Sequence, residues 1–479
     1  MAPPPSRPGQ EMGVRFLLNG TEHVAPSVLP TMTVLDYLRG EAGLRGTKEG
    51  CAEGDCGACT VVMVRHGSTR AEAINACLYT LGQLDGARLV TIEGLSGRDE
   101  APDPVQQAMI SSHASQCGFC TPGFVMALWA LRQEGGTPDD EAIHEALAGN
   151  LCRCTGYRPI VEAARQACRN APPDPETPDG ATPAPQVSLT TGDAVWFAPV
   201  TLDGLLTLKQ SHPGAPLLAG GTDVGLQFSK ERRHDAVTIS TSHVRELRLL
   251  RETADSLHIG GAVTISEALP ACERAWPALG AIMRRFGSWQ IRNVATVAGN
   301  LANASPIGDL SPCLMALDAE LDLAEPNGVR RMPLEEFFPA YRRTALGDAE
   351  IITRIRVPGP ADGTVFRAWK ISKRHDQDIS AVIGAFRVVL RNGRIADMRI
   401  AFGGMAAVPA RALETERALV GQTWSEDTVR EAGRAMERDF TPIDDQRASA
   451  AYRIRVAANL LIRLYRDVTG ETAVEVNQA

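Results

Sequence analysis

The N-terminal region of the chain alternates hydrophobic and polar positions, as a half-buried strand does. Val14–Leu18 runs into an Asn-Gly dipeptide at 19–20, which is typical of a two-residue hairpin turn. Thr33 then precedes the apolar-periodic stretch Val34–Arg39, so a capped amphipathic helix is predicted there. Further strand-like stretches lie at Thr60–Val64 and 88–92. This order predicts a small α+β domain.

Between residues 104 and 170 the hydrophobic period becomes helical. Helices are predicted at 123–132, 140–148 and 160–169. Thr121 and Pro122 provide a cap and a proline start for the first helix, and Pro159 opens the third. These signals indicate a small helical bundle.

Residues 171–185 contain six prolines, a composition that cannot bury enough apolar surface to order itself. We therefore predict a semi-extended linker between domains, taken to residue 192. Beyond it, strands and helices alternate again. Strands are predicted at 217–219, Val237–Ser240, 257–265 and 351–357, hairpin turns at 327–328 and 392–393, and helices from 411 onward.

Composition narrows the classes of protein that fit. The 479 residues are 44% hydrophobic and carry a net charge of −8, which argues against a nucleic-acid partner. No apolar run reaches the length of a membrane span, and the N-terminus has no segment of the signal-peptide type. A reducing cytoplasm is expected. The eleven cysteines are therefore interpreted as metal ligands and buried thiols rather than disulfides.

The first cysteine set has the spacing C-x4-C-x2-C, followed by a fourth cysteine after 17 residues. This is the ligand spacing of plant-type [2Fe–2S] ferredoxins. Three glycines in the loop allow the backbone to wrap an anionic cluster. Zinc is the alternative, although zinc sites prefer paired C-x2-C knuckles. The four cysteines are Cys51, Cys56, Cys59 and Cys77.

The second cysteine set is a C-x2-C pair and a C-x-C pair that lie 31 residues apart. Each pair precedes a predicted helix start, where the helix dipole favours an anion such as a thiolate cluster. From spacing alone, both a [2Fe–2S] cluster and zinc stay open. The set comprises Cys117, Cys120, Cys152 and Cys154. The remaining cysteines stand alone in apolar surroundings and are predicted to be buried structural thiols: Cys168, Cys272 and Cys313.

No G-x-G-x-x-G fingerprint follows a predicted strand, so a Rossmann dinucleotide site is not supported. A strand does run into a Gly-Gly turn within 217–224, and such a turn lets backbone N–H groups approach a diphosphate. The segment 296–309 is rich in small residues and nearly uncharged. Taken alone, both segments also fit ordinary turns and packing loops.

Three motifs carry a family resemblance: KEGCAEGDCGACTV, SQCGFCTPGF and GNLCRCTGYRPI. They resemble the two iron–sulfur domains of the xanthine dehydrogenase family of molybdenum hydroxylases. The segments at 217–224 and 296–309 resemble the FAD domain of the same family. The resemblance implies an α+β multidomain chain. Its expected parts are a ferredoxin-like β-grasp domain at 12–96, a helical [2Fe–2S] bundle at 97–170, the proline-rich linker at 171–192, an FAD domain of the PCMH/VAO type at 193–360 and a C-terminal α+β domain like that of carbon monoxide dehydrogenase flavoproteins at 361–470.

The resemblance also implies site residues, beyond the eight cysteines as ligands of two [2Fe–2S] clusters. Residues 217–224 would line the FAD diphosphate: Leu217, Leu218, Ala219, Gly220, Gly221, Thr222, Asp223 and Val224. Other expected FAD contacts are Phe286, Thr296, Gly299, Asn300, Asp309, Ile352 and Lys370. Gln116 and the Cys154 thiolate would contact the pterin of a molybdenum cofactor held by another chain. The segment 371–381 would lie beside the flavin and tune access of NAD.

As function, the resemblance implies the small electron-transfer subunit of a two-subunit NAD-dependent oxidoreductase. Electrons from xanthine or hypoxanthine oxidation at the partner's molybdenum would pass through the two clusters to FAD and then to NAD. We expect a dimer of large–small pairs, an (αβ)2 heterotetramer, without a membrane or nucleic-acid partner. The chain is expected not to oxidise a purine alone. Alternatives are a sibling hydroxylase acting on another heterocycle or aldehyde, an NADH diaphorase without a molybdenum partner, and a zinc-stapled binding module.

Overall fold

The computed structural model describes residues 13–25, 29–95, 101–169, 187–191, 193–233 and 235–471. Its strands are β1 (Val14–Leu18), β2 (Thr21–Ala25), β3 (Thr60–Val64), β4 (Glu72–Asn75), β5 (Arg88–Val90), β6 (Val187–Thr191), β7 (Ala194–Ala198), β8 (Leu217–Leu218), β9 (Val237–Ser240), β10 (Leu250–Glu252), β11 (Ser256–Gly260), β12 (Glu320–Glu325), β13 (Gly328–Pro333), β14 (Ile351–Pro358), β15 (Thr364–Ile371), β16 (Val382–Arg391), β17 (Arg394–Gly403) and β18 (Ala410–Arg411).

The α-helices are α1 (Val34–Arg39), α2 (Pro104–Ser111), α3 (Thr121–Gln133), α4 (Asp140–Leu147), α5 (Arg158–Ala167), α6 (Leu202–Ser211), α7 (Val224–Ser229), α8 (Ile265–Ala275), α9 (Pro277–Arg284), α10 (Trp289–Arg292), α11 (Val297–Ala302), α12 (Leu310–Ala316), α13 (Leu413–Leu419), α14 (Glu426–Gly433), α15 (Met436–Asp439) and α16 (Ala450–Thr469). Within the described ranges, no helix is both long and apolar enough to cross a membrane.

The chain divides into two compact units. Unit 1 comprises residues 1–245 together with the short segment 287–295, and unit 2 comprises 246–286 and 296–479. Residues 193–245, expected to begin the FAD domain, are therefore part of unit 1.

Unit 1 contains a five-stranded sheet in the order β2-β1-β5-β3-β4. Strand β1 pairs parallel with β5, and the other neighbours in this sheet pair antiparallel. Helix α1 buries Val34, Leu35 and Leu38 in the same apolar core as Phe16. The Thr33 side chain accepts from the Asp36 N–H at 3.1 Å, so the predicted helix cap is present.

Helices α2, α3, α4 and α5 form the bundle that follows, and α3 is the central helix because it is buried from Gly123 to Leu131. Pro122 lies in the first turn of this helix, as predicted, but the cap residue is Cys120 and not Thr121. The cysteine loop runs directly into the helix, which therefore begins at Thr121, one residue earlier than a Thr121 cap would place it.

A second sheet of unit 1 has the order β6-β7-β9-β8, with β9 parallel to both β7 and β8. Strand β6 pairs antiparallel with β7, so the linker prediction is wrong for Val187–Thr191. Backbone pairing with a neighbouring strand is a tertiary interaction that the proline-rich composition upstream does not reveal. The six prolines themselves lie outside the described residues.

Unit 2 contains a five-stranded sheet, β10-β11-β14-β12-β13, and a four-stranded sheet, β15-β16-β17-β18. The strand predicted at 257–265 ends at Gly260, because Thr264 caps a helix that starts at Ile265. Both predicted Asn-Gly hairpins form, between β12 and β13 and between β16 and β17. The long helix α16 packs its apolar side into the core beside β16 and β17.

Candidate iron–sulfur and flavin sites

The first cysteine set lies on the loop between α1 and β3 and just after β4, within unit 1. Its thiols form hydrogen-bonded pairs, Cys56 with Cys51 and Cys77 with Cys59. The backbone N–H groups of Glu53 and Cys56 also point at the Cys51 sulfur, each at 3.4 Å. The loop thus aims N–H donors at the sulfur that carries negative charge, as an anionic cluster requires.

Hydrogen bonds between these thiols lower the pKa of one thiol in each pair. The hydrogen bond from Cys56 lowers the pKa of Cys51 to about 5. The hydrogen bond from Cys77 likewise lowers the pKa of Cys59. Thiolates, not thiols, are metal ligands, so a lowered pKa at Cys51 and Cys59 favours metal binding by these two sulfurs.

The second cysteine set lies where two helices of the bundle begin. Cys120 is the residue before α3, and Cys152 and Cys154 precede α5. The thiols again pair, Cys117 with Cys154 and Cys120 with Cys152. Cys117 and Cys154 are exposed, in contrast to the buried Cys59 and Cys77 of the first set. The second set therefore opens to the surface of unit 1.

Four cysteines fit two kinds of metal site. A zinc site draws its four ligands around one ion. A [2Fe–2S] cluster has two irons, and four cysteines provide two thiolates for each. The four thiols of the first set, with two backbone N–H groups aimed at the Cys51 sulfur, fit such an anionic cluster.

The predicted diphosphate segment lies in unit 1, where β8 ends and a turn leads into α7. The Ala219 carbonyl accepts from Gln83 Nε2 at 2.8 Å, which ties this turn to the ferredoxin-like domain. Gly221 has φ +75, and a Cβ at Gly220 would lie 1.9 Å from the Val294 oxygen. Both glycines are needed, Gly221 for the left-handed turn and Gly220 for close packing.

The same region approaches the first cysteine set. A Cβ on Gly225, in α7, would lie 2.6 Å from the carbonyl oxygen of Leu78, the residue after Cys77. Ser229 and Lys230 donate to the carbonyls of Ala52 and Cys51, at 2.8 and 2.7 Å. The helix that follows the predicted flavin loop, and Lys230 just after it, are thus in direct contact with the first cysteine set.

Two of the predicted FAD contacts meet in unit 2. Lys370 Nζ donates to Asp309 Oδ2 at 2.6 Å, and the two side chains are only 3% and 8% exposed. Ser380 donates to the other carboxylate oxygen, Oδ1, at 2.5 Å. These contacts join the start of α12, the end of β15 and the start of β16.

Predicted contacts Thr296, Gly299 and Asn300 lie at the start of α11, also in unit 2. The Thr296 hydroxyl caps this helix by accepting from the Gly299 N–H at 2.9 Å. The Asn300 side-chain oxygen is buried, and no hydrogen-bond donor within the described ranges reaches it. An orphaned buried acceptor beside a predicted cofactor segment fits a polar ligand group there.

The other predicted contacts are placed as follows. Phe286 follows α9, and Ile352 lies in β14 with its side chain buried. Gln116 is exposed beside Cys117, where a second chain has access to it.

Family models agree with this arrangement of parts. A 2Fe-2S iron-sulfur cluster binding domain matches residues 16–81, and a [2Fe-2S] binding domain matches 91–165. The FAD binding domain in molybdopterin dehydrogenase matches 188–360, and the CO dehydrogenase flavoprotein C-terminal domain matches 367–468.

Curated relatives point the same way. The chain is 36% identical to xanthine dehydrogenase 1 of Arabidopsis thaliana, over 89% of this chain and 37% of that protein. It is 34% identical to xanthine dehydrogenase of Emericella nidulans, over 96% of this chain and 39% of that protein. The chain is thus similar, over most of its own length, to a part of each of these xanthine dehydrogenases. It spans less than half the length of these relatives.

Solved structures share the fold of a part of the chain. A carbon monoxide dehydrogenase chain from Hydrogenophaga pseudoflava superimposes with a TM-score of 0.54 at 26% identity, covering 58% of this chain and 98% of that one. Quinoline 2-oxidoreductase from Pseudomonas putida 86 gives a TM-score of 0.53 at 23% identity, covering 58% and 97%. The family and the four-module fold class predicted from sequence are confirmed, whereas the residue-level assignments stay predictions.

The structure places several residues next to the predicted sites that the sequence motifs did not single out. Ser380 holds the Asp309 carboxylate, and Arg285 donates to the carbonyls of Lys370 and His375 at 3.1 Å. Asn150 and Gln290 meet beside the first cysteine loop at 2.8 Å. Asn150 stands within the GNLC motif and could have been noticed, but Gln290 had no signal because its partner lies 140 residues away.

Proposed function

We propose that this chain is the electron-transfer subunit of a xanthine dehydrogenase, and that it works with a molybdenum-bearing large subunit. The observation that carries the proposal is the geometry of the two four-cysteine sets: one lies on a loop that aims N–H groups at the Cys51 sulfur, and the other lies where two helices begin. Its final acceptor would be NAD, its location the cytoplasm and its assembly an (αβ)2 heterotetramer. The names of the relatives, three of which are plant xanthine dehydrogenases, support this choice of substrate.

The cysteines hold the iron in this proposal. Cys51 with Cys56 would bind one iron of the first cluster, and Cys59 with Cys77 the other. When bound, the clusters would supply one-electron transfer, and FAD would link it to two-electron hydride transfer to NAD. The protein residues would supply the spacing of the clusters and N–H donors to sulfur.

Each unit contains residues proposed to contact FAD. In unit 1, the turn at 217–224 would offer backbone N–H groups to the diphosphate. In unit 2, Asn300 would receive a hydrogen bond from the cofactor, and the Asp309–Lys370 pair would present one acceptor and one donor. Phe286, Thr296, Gly299 and Ile352 complete the proposed contacts.

The second cluster would face the partner subunit. Cys117 and Cys154 are exposed, and so is Gln116. An exposed cluster edge is suited to receive electrons from a molybdenum cofactor on another chain, with Gln116 and the Cys154 thiolate nearest to its pterin.

Spectroscopy with one cysteine variant tests the ligand assignment. The purified chain should contain iron and show two distinct [2Fe–2S] signals in electron paramagnetic resonance after reduction. Cys56→Ser should remove one signal and keep the other. Cys168→Ser is the matched control, because Cys168 is a buried thiol outside both sets and should leave both signals. A colourless protein that contains zinc and no iron would overturn the proposal.

Co-purification tests the partner. Expressed in its native cells with an affinity tag, the chain should bring down a large subunit that contains molybdenum, and the complex should reduce NAD when xanthine is added. A stable chain that purifies without any molybdenum partner would contradict the relay and favour a diaphorase.

A sibling hydroxylase is a second candidate. The chain is 32% identical to aldehyde oxidase 2 of Cavia porcellus, over 98% of this chain and 40% of that protein. This value lies close to those for the xanthine dehydrogenases. Turnover of the purified complex with xanthine, an aromatic aldehyde and an N-heterocycle would distinguish them, since only a xanthine dehydrogenase should prefer the purine.

A further inference from the structure

The two cysteine loops touch through their backbones. The Leu151 N–H, one residue before Cys152, donates to the Cys56 carbonyl at 2.9 Å. Next to it, Asn150 Nδ2 donates to the Gly57 carbonyl at 3.0 Å. A single hydrogen bond therefore links a cysteine of the first set to the residue bonded to a cysteine of the second set.

A buried polar cluster surrounds this contact. Asn150, Thr60 and Gln290 are 2%, 1% and 0% exposed. Gln290 Nε2 donates to Asn150 Oδ1 at 2.8 Å and to Thr60 Oγ1 at 3.3 Å, and the Thr60 hydroxyl donates to the Gly57 carbonyl at 2.7 Å. Asn150 thus accepts a hydrogen bond from Gln290 through its side-chain oxygen and donates one to the first cysteine loop through its side-chain nitrogen.

Glycines make the approach close enough for these bonds. A Cβ on Gly57 would lie 2.2 Å from the Gly149 carbonyl oxygen, and a Cβ on Gly123 would lie 2.2 Å from the Gly57 oxygen. A Cβ on Gly149 would lie 1.9 Å from Gln290 Oε1. No side chain fits between the loops at these points, so the two backbones meet directly.

We propose that Asn150 is the positioning residue that fixes the separation of the two clusters, beside the Leu151–Cys56 hydrogen bond that joins their loops. The inference rests on the proposed function, because it takes the cysteines as cluster ligands. The step it serves moves one electron: one cluster is oxidised by one electron, the other is reduced by one, and no proton or atom is transferred.

Packing alone does not account for a polar cluster at this place. Burying three hydrogen-bonding side chains gives little net stability over apolar groups of the same shape. The hydrogen bonds of this cluster restrict its geometry, because each paired donor and acceptor has few positions that satisfy it. Within the described residues, Gln290 Oε1 has no donor. Fixed spacing is what electron transfer between two bound clusters requires.

The test uses the full chain, with any partner that copurifies, and the variant Asn150→Ala. Both clusters are reduced, and pulsed electron paramagnetic resonance measures the magnetic dipolar coupling between them, which depends steeply on their separation. We expect both cluster signals to persist and the single well-defined coupling of the wild type to be lost, because the loops then sample several separations. Transfer of an electron between the clusters, followed after rapid partial reduction, should slow as well.

Asn293→Ala is the matched control. Asn293 is 0% exposed, lies in the same unit and donates to the Ala73 carbonyl in β4 at 2.9 Å. It should lower stability without changing the dipolar coupling. Gln290→Ala provides a second variant, which keeps Asn150 but removes its support, and should broaden the coupling less than Asn150→Ala.

The outcomes separate this inference from the function on which it rests. Two cluster signals with an unchanged coupling in both Asn150→Ala and Gln290→Ala would overturn the positioning role and leave the proposed function intact. A wild-type chain without two cluster signals would overturn the proposed function itself. If Asn150→Ala fails to fold, the result with Gln290→Ala decides: an altered coupling supports the role, and an unchanged coupling refutes it.

Discussion

The buried Lys370–Asp309 pair allows a quantitative prediction. At the observed 2.6 Å, two unit charges attract by about 6 kcal/mol when the effective dielectric constant is about 20. The side chains are 3% and 8% exposed, and burying each ion costs several kcal/mol, which offsets most of that attraction. When one partner is removed, the other ion stays buried, and the cost of burying it remains. Lys370→Met should therefore lower the free energy of unfolding by about 3–5 kcal/mol, since the Asp309 carboxylate stays buried without its cation.

Urea denaturation followed by circular dichroism measures the effect. The control is Arg434→Met, which breaks an ion pair of similar length, 2.8 Å to Glu431, whose side chains are 78% and 71% exposed. That change should cost at most about 1 kcal/mol. The double variant Lys370→Met with Asp309→Asn should regain much of the loss, because no uncompensated charge remains. The reasoning is refuted if Lys370→Met costs no more than Arg434→Met.

A second arm of the same experiment concerns the cofactor. A ligand that binds only the folded protein raises its stability, so added FAD should shift the wild-type midpoint upward. If Lys370 contacts FAD as proposed, this shift should shrink in Lys370→Met and persist in Arg434→Met.

Further predictions concern single positions. Gly57→Ala should abolish the first cluster signal and destabilise the protein more than Gly67→Ala does. Both glycines have φ near +70, but only at Gly57 would the added Cβ clash with a carbonyl oxygen. Gly67→Ala should lower the free energy of unfolding by about 1–2 kcal/mol in thermal denaturation. The hydrogen bonds from Arg330 lower the pKa of Glu350, so the ionised Glu350 stabilises the fold. In urea titrations, Glu350→Gln should lower the free energy of unfolding by about 1 kcal/mol at a pH above the unfolded-state pKa of about 4. This difference between variant and wild type should vanish as the pH falls through the lower folded-state pKa. Asn300→Ala should weaken FAD binding in a fluorescence titration and change the stability of the cofactor-free protein by less than about 0.5 kcal/mol, since its buried oxygen has no donor to lose; a large loss would contradict this.

Local signals predicted the elements that depend on neighbouring residues. The hairpin at 19–20, the Thr33 cap and the two later Asn-Gly turns formed as expected, because turn and cap conformations are decided within a few residues. Predictions failed where a distant segment decides. Val187–Thr191 became a strand through pairing with β7, and the strand predicted at 257–265 ended where a helix cap took over.

For the sites, the sequence by itself determined the chemistry: eight cysteines in two spaced sets, glycine-rich turns and the family they belong to. Only the tertiary structure decided which thiols pair, since Cys59 and Cys77 are brought together by the antiparallel pairing of β3 with β4. Likewise, Asp309 and Lys370 lie 61 residues apart, and Gln290 and Asn150 lie 140 apart. Such contacts leave no local pattern, because their partners are selected by packing across the fold and not by chain neighbours.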